Sequence, residues 1–129
     1  MGLFDALDVS GSGLSAERLR MDVTAENLAN AQTPGYRRKE VVVQESFDQS
    51  LGRAMGVKAT GIVADQTPNR LVYDPGNPSA DARGYVSMPS VNTVTEMVDL
   101  ISASRGYEAN VTAMQTAKTM FTKTLDILR

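Results

Sequence analysis

Cysteine, histidine and tryptophan are all absent from this chain of 129 residues. Without cysteine there is no disulfide, no thiolate nucleophile and no thiolate metal ligand. Without histidine the usual zinc ligand, the usual base near neutral pH and every Ser-His or Cys-His catalytic arrangement are excluded as well. Aromatic residues amount to 5%, three Phe and four Tyr, so a central core would have few large anchors. A net charge of −2 gives no electrostatic ground for binding nucleic acid or an anionic membrane. No run approaches the eighteen or so apolar residues that a bilayer-spanning helix needs, which argues against direct membrane insertion. The start, Met1-Gly2-Leu3-Phe4-Asp5, lacks the basic segment and long apolar run of a cleaved signal peptide, so these features alone predict a cytoplasmic protein.

What the chain does have is heptads. From Asn92 to Arg129 there is no proline and one glycine, Gly106. Leu100, Tyr107, Met114, Phe121 and Leu128 recur every seven residues, and Met97, Val111 and Leu125 keep phase with them. This pattern predicts one long helix with an apolar seam, about 55 Å long at the helical rise. Val94, Val98 and Ile101 make a second stripe beside the first, and Ala103, Ala109, Ala113 and Ala117 supply small residues for close approach. Such an arc is wider than one partner helix covers, and the surplus predicts contact with other molecules. Thr93 and Glu96 have the spacing of a capping box, which puts the helix start near Thr93.

A second heptad, Leu7, Leu14, Met21 and Leu28, runs through residues 3–31. It crosses Ser10-Gly11-Ser12-Gly13, where two glycines predict a hinge or an N-cap for a helix from Leu14. A phosphate loop is excluded, because no strand precedes these residues and no Lys-Ser/Thr pair follows. The helix is expected to stop at Asn30-Ala31-Gln32-Thr33-Pro34-Gly35-Tyr36, where proline and glycine end helical geometry, and Tyr36 is expected to pack on a helix. The basic triplet Arg37-Arg38-Lys39 reads as a solvated turn or a set of salt bridges, since no broad basic face with stacking aromatics accompanies it.

Between Glu40 and Pro89 short β-like runs alternate with turn residues: Val41 to Val43, Val57 to Val63, Leu71 to Tyr73 and Tyr85 to Met88. Strands this short make a small sheet with little core of its own. The loop Asp74 to Asp81 invites a metal-binding or carboxylate-enzyme reading, but its glycine and prolines do not fit a calcium loop. Glu96, Asp99 and Glu108 read as the solvated side of the C-terminal helix, not as an acid and base pair. The expected fold is mainly α with a small β insert. Residues 1–33 and 91–129 form one helical domain of paired, coiled-coil-like helices, and 34–90 form a turn and β-rich insert. No catalytic residue, cofactor or metal site is expected.

Asn27-Leu28-Ala29-Asn30-Ala31-Gln32-Thr33-Pro34-Gly35-Tyr36 resembles the signature of bacterial flagellar rod and hook proteins: a helix ending in Asn-(Leu/Ile)-Ala-Asn, two variable residues, then Thr-Pro-Gly-Tyr. The likeness extends through Leu19 to Val23, Gly35 to Lys39, Tyr73 to Gly76 and Glu96 to Val111, in the manner of the proximal-rod members, with Gly106 standing where relatives often carry alanine. The resemblance implies a structural subunit of the flagellar basal body, assembling helically with copies of itself and other rod proteins into a drive shaft. It also implies contact with rod-base adaptor and membrane ring proteins, and export without a cleaved signal through the flagellar type III apparatus into the periplasm. That moves the expected compartment away from the cytoplasm, and it accords with the missing cysteines, because stray thiols are a liability in an oxidising compartment. Subunit packing would fall to the two heptads and the Val94, Val98 and Ile101 stripe.

Overall fold

The computed structural model describes residues 3–48 and 53–127. Two long helices, α1 (Leu3–Ala29) and α2 (Thr93–Ile127), enclose an insert of four strands: β1 (Lys39–Asp48), β2 (Arg53–Ala64), β3 (Arg70–Tyr73) and β4 (Tyr85–Met88). The strands form two antiparallel hairpins, β1 with β2 and β3 with β4. The architecture is mainly helical with a β insert, as the patterning predicted, although β1 and β2 run longer than the valine clusters alone indicated.

The helices are antiparallel, and their register can be read from close approaches. A Cβ on Gly11 would lie 3.7 Å from Met114, one on Gly13 2.9 Å from Asn110, and one on Gly106 3.2 Å from Glu17. At the far end Asn27 reaches Glu96 directly. Numbers rise along α1 as they fall along α2. Ala103 on α2 is buried in this seam at 1% exposure, and Asn27 and Glu96 are buried as deeply at its far end. The heptad residues Leu7, Leu14, Met21 and Leu28 are only half-buried. Small side chains let the backbones come close, and the large ones flank the seam without filling it.

The expected break at Ser10 to Gly13 does not occur, and α1 runs through it unbroken. Each glycine costs about 1 kcal/mol of helix propensity. Here that cost is offset by contacts on two sides. Gly11 and Gly13 admit Met114 and Asn110 of α2, while Ser12 takes the insert: its Oγ donates to the Val9 carbonyl (2.7 Å) and accepts from the Val57 amide (3.0 Å). The local composition of a hinge is therefore used as a docking strip.

Gly56 completes that dock. Its φ of +100° is one that side chains rarely adopt, and a Cβ there would lie 2.1 Å from Ser12 Oγ and 3.2 Å from the Val9 backbone. Gly56→Ala is expected to destabilise the protein by about 2 to 3 kcal/mol, through strain at a left-handed position and loss of the Ser12 contact. Amide exchange at Val57 is expected to rise sharply in the variant; unchanged protection there would contradict the account.

The remaining elements close the ends. Asn92 caps α2, its Oδ1 accepting from the amides of Val94 (3.0 Å) and Thr95 (3.3 Å). Thr93 is thus not the cap, because the Glu96 side chain that a capping box requires is turned inward. The small hairpin is tied to the turn after α1: the Gly35 amide, at φ +78°, donates to the Ser87 carbonyl (2.8 Å), and Asn69 Nδ2 donates to both the Tyr36 carbonyl and Ser87 Oγ. In the loop before β4, Asp81 Oδ1 accepts the amides of Arg83 (2.8 Å) and Tyr85 (2.9 Å), which makes it a turn residue.

Candidate assembly interface

The end of α1, the turn that follows it, β1 and the first turn of α2 meet around one side chain. Asn27 is 1% exposed and uses all four of its hydrogen-bonding positions. Its Nδ2 donates to the Lys39 carbonyl (2.8 Å) and to Glu96 Oε2 (3.1 Å). Its Oδ1 accepts from the Lys39 amide (2.9 Å) and from the Tyr36 hydroxyl (2.9 Å). The pairing with the Lys39 backbone mimics a strand partner, so α1 ends by holding the first residue of β1.

Glu96 is likewise 1% exposed. Its second oxygen accepts from Arg38 Nε at 2.6 Å, and the Arg38 guanidinium also approaches Asp65 (3.6 Å) and Glu40 (3.8 Å). The hydrogen bond to Glu96 holds the guanidinium proton more tightly than in water. Asp65 sits below the ordinary carboxylate range because the Thr67 amide and hydroxyl donate to it, with Arg38 adding to the effect. Lys39 pairs with Glu26, which raises its ammonium pKa. Asn30 Nδ2 donates to the Glu26 carbonyl and its Oδ1 accepts from the Thr33 hydroxyl, so the last turn of α1 is closed by its own side chains. Pro34 and Gly35 are exposed, and Tyr36 is half-buried against α1 through its bond to Asn27.

This arrangement corrects the reading of Glu96 as a solvated residue. The signal was present: Glu96, Leu100, Ala103 and Tyr107 follow one another at intervals of four, three and four, so Glu96 occupies the seam that faces α1. A charge at such a place needs a partner, and Arg38 in the basic triplet is that partner.

Burial lifts the Tyr36 phenol above its ordinary value near 10, and the Glu26 carboxylate adds to the rise. The unfolded chain then loses this proton first, so above pH of about 10 the unfolded state binds fewer protons and stability falls as pH rises. Lys39, also raised, acts in the same direction. Urea unfolding is expected to show a loss of stability between about pH 8 and about pH 11 that is smaller in Tyr36→Phe. An equal loss in both proteins would contradict this.

The two expected packing stripes separate cleanly. Leu100, Tyr107, Val111 and Met114 are half-buried on the side of α2 that carries Ala103, while Phe121 and Leu125 are exposed near its end. Val94, Val98 and Ile101 remain 69%, 59% and 55% exposed on the opposite side, and Met97, expected in the first seam, joins them at 51%. Leu128 lies outside the described residues. Of the four α2 alanines expected to allow close approach, Ala103 is buried, Ala117 half-buried, and Ala109 and Ala113 exposed.

A sequence profile described as flagella basal body rod protein matches residues 7–37, and one described as flagellar basal body rod FlgEFG protein C-terminal matches residues 82–127. The chain is 46% identical to the flagellar basal-body rod protein FlgC of Salmonella typhimurium, over 98% of each chain. It belongs to the FlgC family of flagellar basal-body rod proteins. The FlgC of Bacillus subtilis is 45% identical over 98% of this chain and 99% of its own, and that of Borreliella burgdorferi 40% over 100% and 99%. As a member of this family the chain is a structural subunit of the basal-body rod and assembles with other rod proteins. The hub residue Asn27 falls in the first matched segment and Glu96 in the second. Their contact therefore joins the two family segments across the insert, with Arg38 and Lys39 just past the first.

Proposed function

We propose that this subunit builds the proximal rod by helical packing, with the helical domain of residues 1–33 and 91–129 toward the central tube and the insert 34–90 further out. The observation that carries this reading is uncovered surface. The chain exposes 9089 Å², about a third more than the ~6,700 Å² expected for a compact monomer of 13.9 kDa. Part of the excess is the stripe Val94, Met97, Val98 and Ile101, each side chain gaining about 1.5 to 3 kcal/mol if a neighbour covers it. Many such lateral contacts, acting in parallel, suit a shaft that transmits torque. The role is structural and not enzymatic.

In the same reading, the chain is exported without a cleaved signal through the type III apparatus, and the rod crosses the periplasm. Other copies, other rod proteins, the rod-base adaptor and the membrane rings are its neighbours. The test is a variant with Val98→Asp and Ile101→Asp. Both positions are exposed in the single chain, so circular dichroism is expected to report an unchanged fold while incorporation into basal bodies and motility are lost. Normal motility with both charges in place would contradict the proposal.

A further inference from the structure

On the side of α1 away from α2, a groove of about 590 Å³ lies between α1 and β2. Its apolar lining comes from Ala16, Leu19, Val57 and Ala59, and Arg18, Lys58 and Asp22 stand exposed at its rim. We propose that this groove is the socket for the C-terminal end of α2 from a second copy of the chain. The inference rests on the reading that copies pack against one another, and it names one pair of surfaces that do so.

Three features select this occupant. First, α2 is longer than α1, 35 residues against 27. The register that sets Gly13 opposite Asn110 and Asn27 opposite Glu96 brings the start of α1 level with about Met120 at equal helical rise. The last two turns of α2 therefore extend past the described end of α1. Met120 and Ile127, seven residues apart on one face, are exposed there, Ile127 by 85%.

Second, the charges match. Lys123 and Asp126 border that face one turn apart, as Arg18 and Asp22 are one turn apart at the rim. In an antiparallel approach Asp126 meets Arg18, with Lys58 nearby, and Lys123 meets Asp22. This is also the direction in which α2 already lies against α1 within one chain.

Third, a chain cannot fill its own socket. The groove is level with residues near 101 to 111 of α2, roughly 15 Å or more along the axis from the overhang, and α2 is one unbroken helix. Knob and socket are different surfaces, so the contact is not reciprocal and propagates from copy to copy instead of closing a dimer.

The absence of native cysteine gives a direct test. Leu19→Cys and Ile127→Cys are combined in one chain and expressed in the motile bacterium, and isolated basal bodies are oxidised. Covalent dimers and higher multimers are expected, with none from either single variant. Adding Asp126→Lys is expected to reduce the crosslink several-fold, and a further Arg18→Glu to restore it. If rods incorporate the double-cysteine chain and no crosslink forms, the socket is wrong while the packing role stands. If the unaltered chain is absent from isolated rods, both readings fall.

Discussion

Asn27→Ala is expected to destabilise the protein by about 3 to 5 kcal/mol in urea unfolding. A buried polar group left without its partner costs about 1 to 3 kcal/mol, and this one truncation strands several at once. The Lys39 amide and carbonyl lose the side chain that pairs with both, the Tyr36 hydroxyl loses its acceptor, and Glu96 loses a donor. Asn30→Ala provides the comparison within the same motif. Its side chain serves the Glu26 carbonyl and the Thr33 hydroxyl at a half-exposed helix end, so the expected loss is about 1 kcal/mol. Losses of equal size in the two variants would mean that Asn27 is not the hub.

Arg38→Ala is expected to cost about 3 kcal/mol, toward the lower end of what breaking a buried ion pair costs, because the guanidinium is partly exposed. The penalty arises mainly from Glu96, whose carboxylate stays buried without its cation. Replacing both groups together, Arg38→Met with Glu96→Leu, is therefore expected to be less damaging than Arg38→Ala alone, although it still strands one Asn27 donor. A double-mutant cycle measures this coupling. A double variant as unstable as the sum of the two singles would remove the pair from the account. Both variants weaken the same joint, where the end of α1, the start of β1 and the first turn of α2 are held together.

Much of this architecture was legible in the sequence, because repeated patterns report repeated geometry. The heptads marked both helices, Pro34 and Gly35 marked the end of α1, and the valine runs marked the strands. Reading failed where a residue's role depends on something distant in the chain. Ser10 to Gly13 has the composition of a hinge, and only the presence of α2 on one side and Val57 on the other makes it a continuous helix with two docks. Thr93 and Glu96 have the spacing of a capping box, yet Arg38 and Asn27 compete for the glutamate and win, leaving the cap to Asn92. Ala103 is buried in the seam while Leu100, Tyr107 and Met114 stay half-buried, since a close helix approach selects small side chains at its tightest points. The separation of a covered seam from an uncovered stripe on α2 was visible in outline, and the exposure of Met97 sharpened it.

The central claim is that the polar joint fixes α1, α2 and the insert within one subunit, so that the outward face of α2 is presented to neighbours. Electron cryomicroscopy of intact basal bodies, with this chain traced in the density, tests it most directly. The account predicts that Val94, Met97, Val98 and Ile101 lie buried against adjacent rod subunits while Asn27, Arg38 and Glu96 keep their contacts within the chain. It would be contradicted by a rod in which those four side chains face water, or in which Glu96 has exchanged Arg38 for a partner on another subunit.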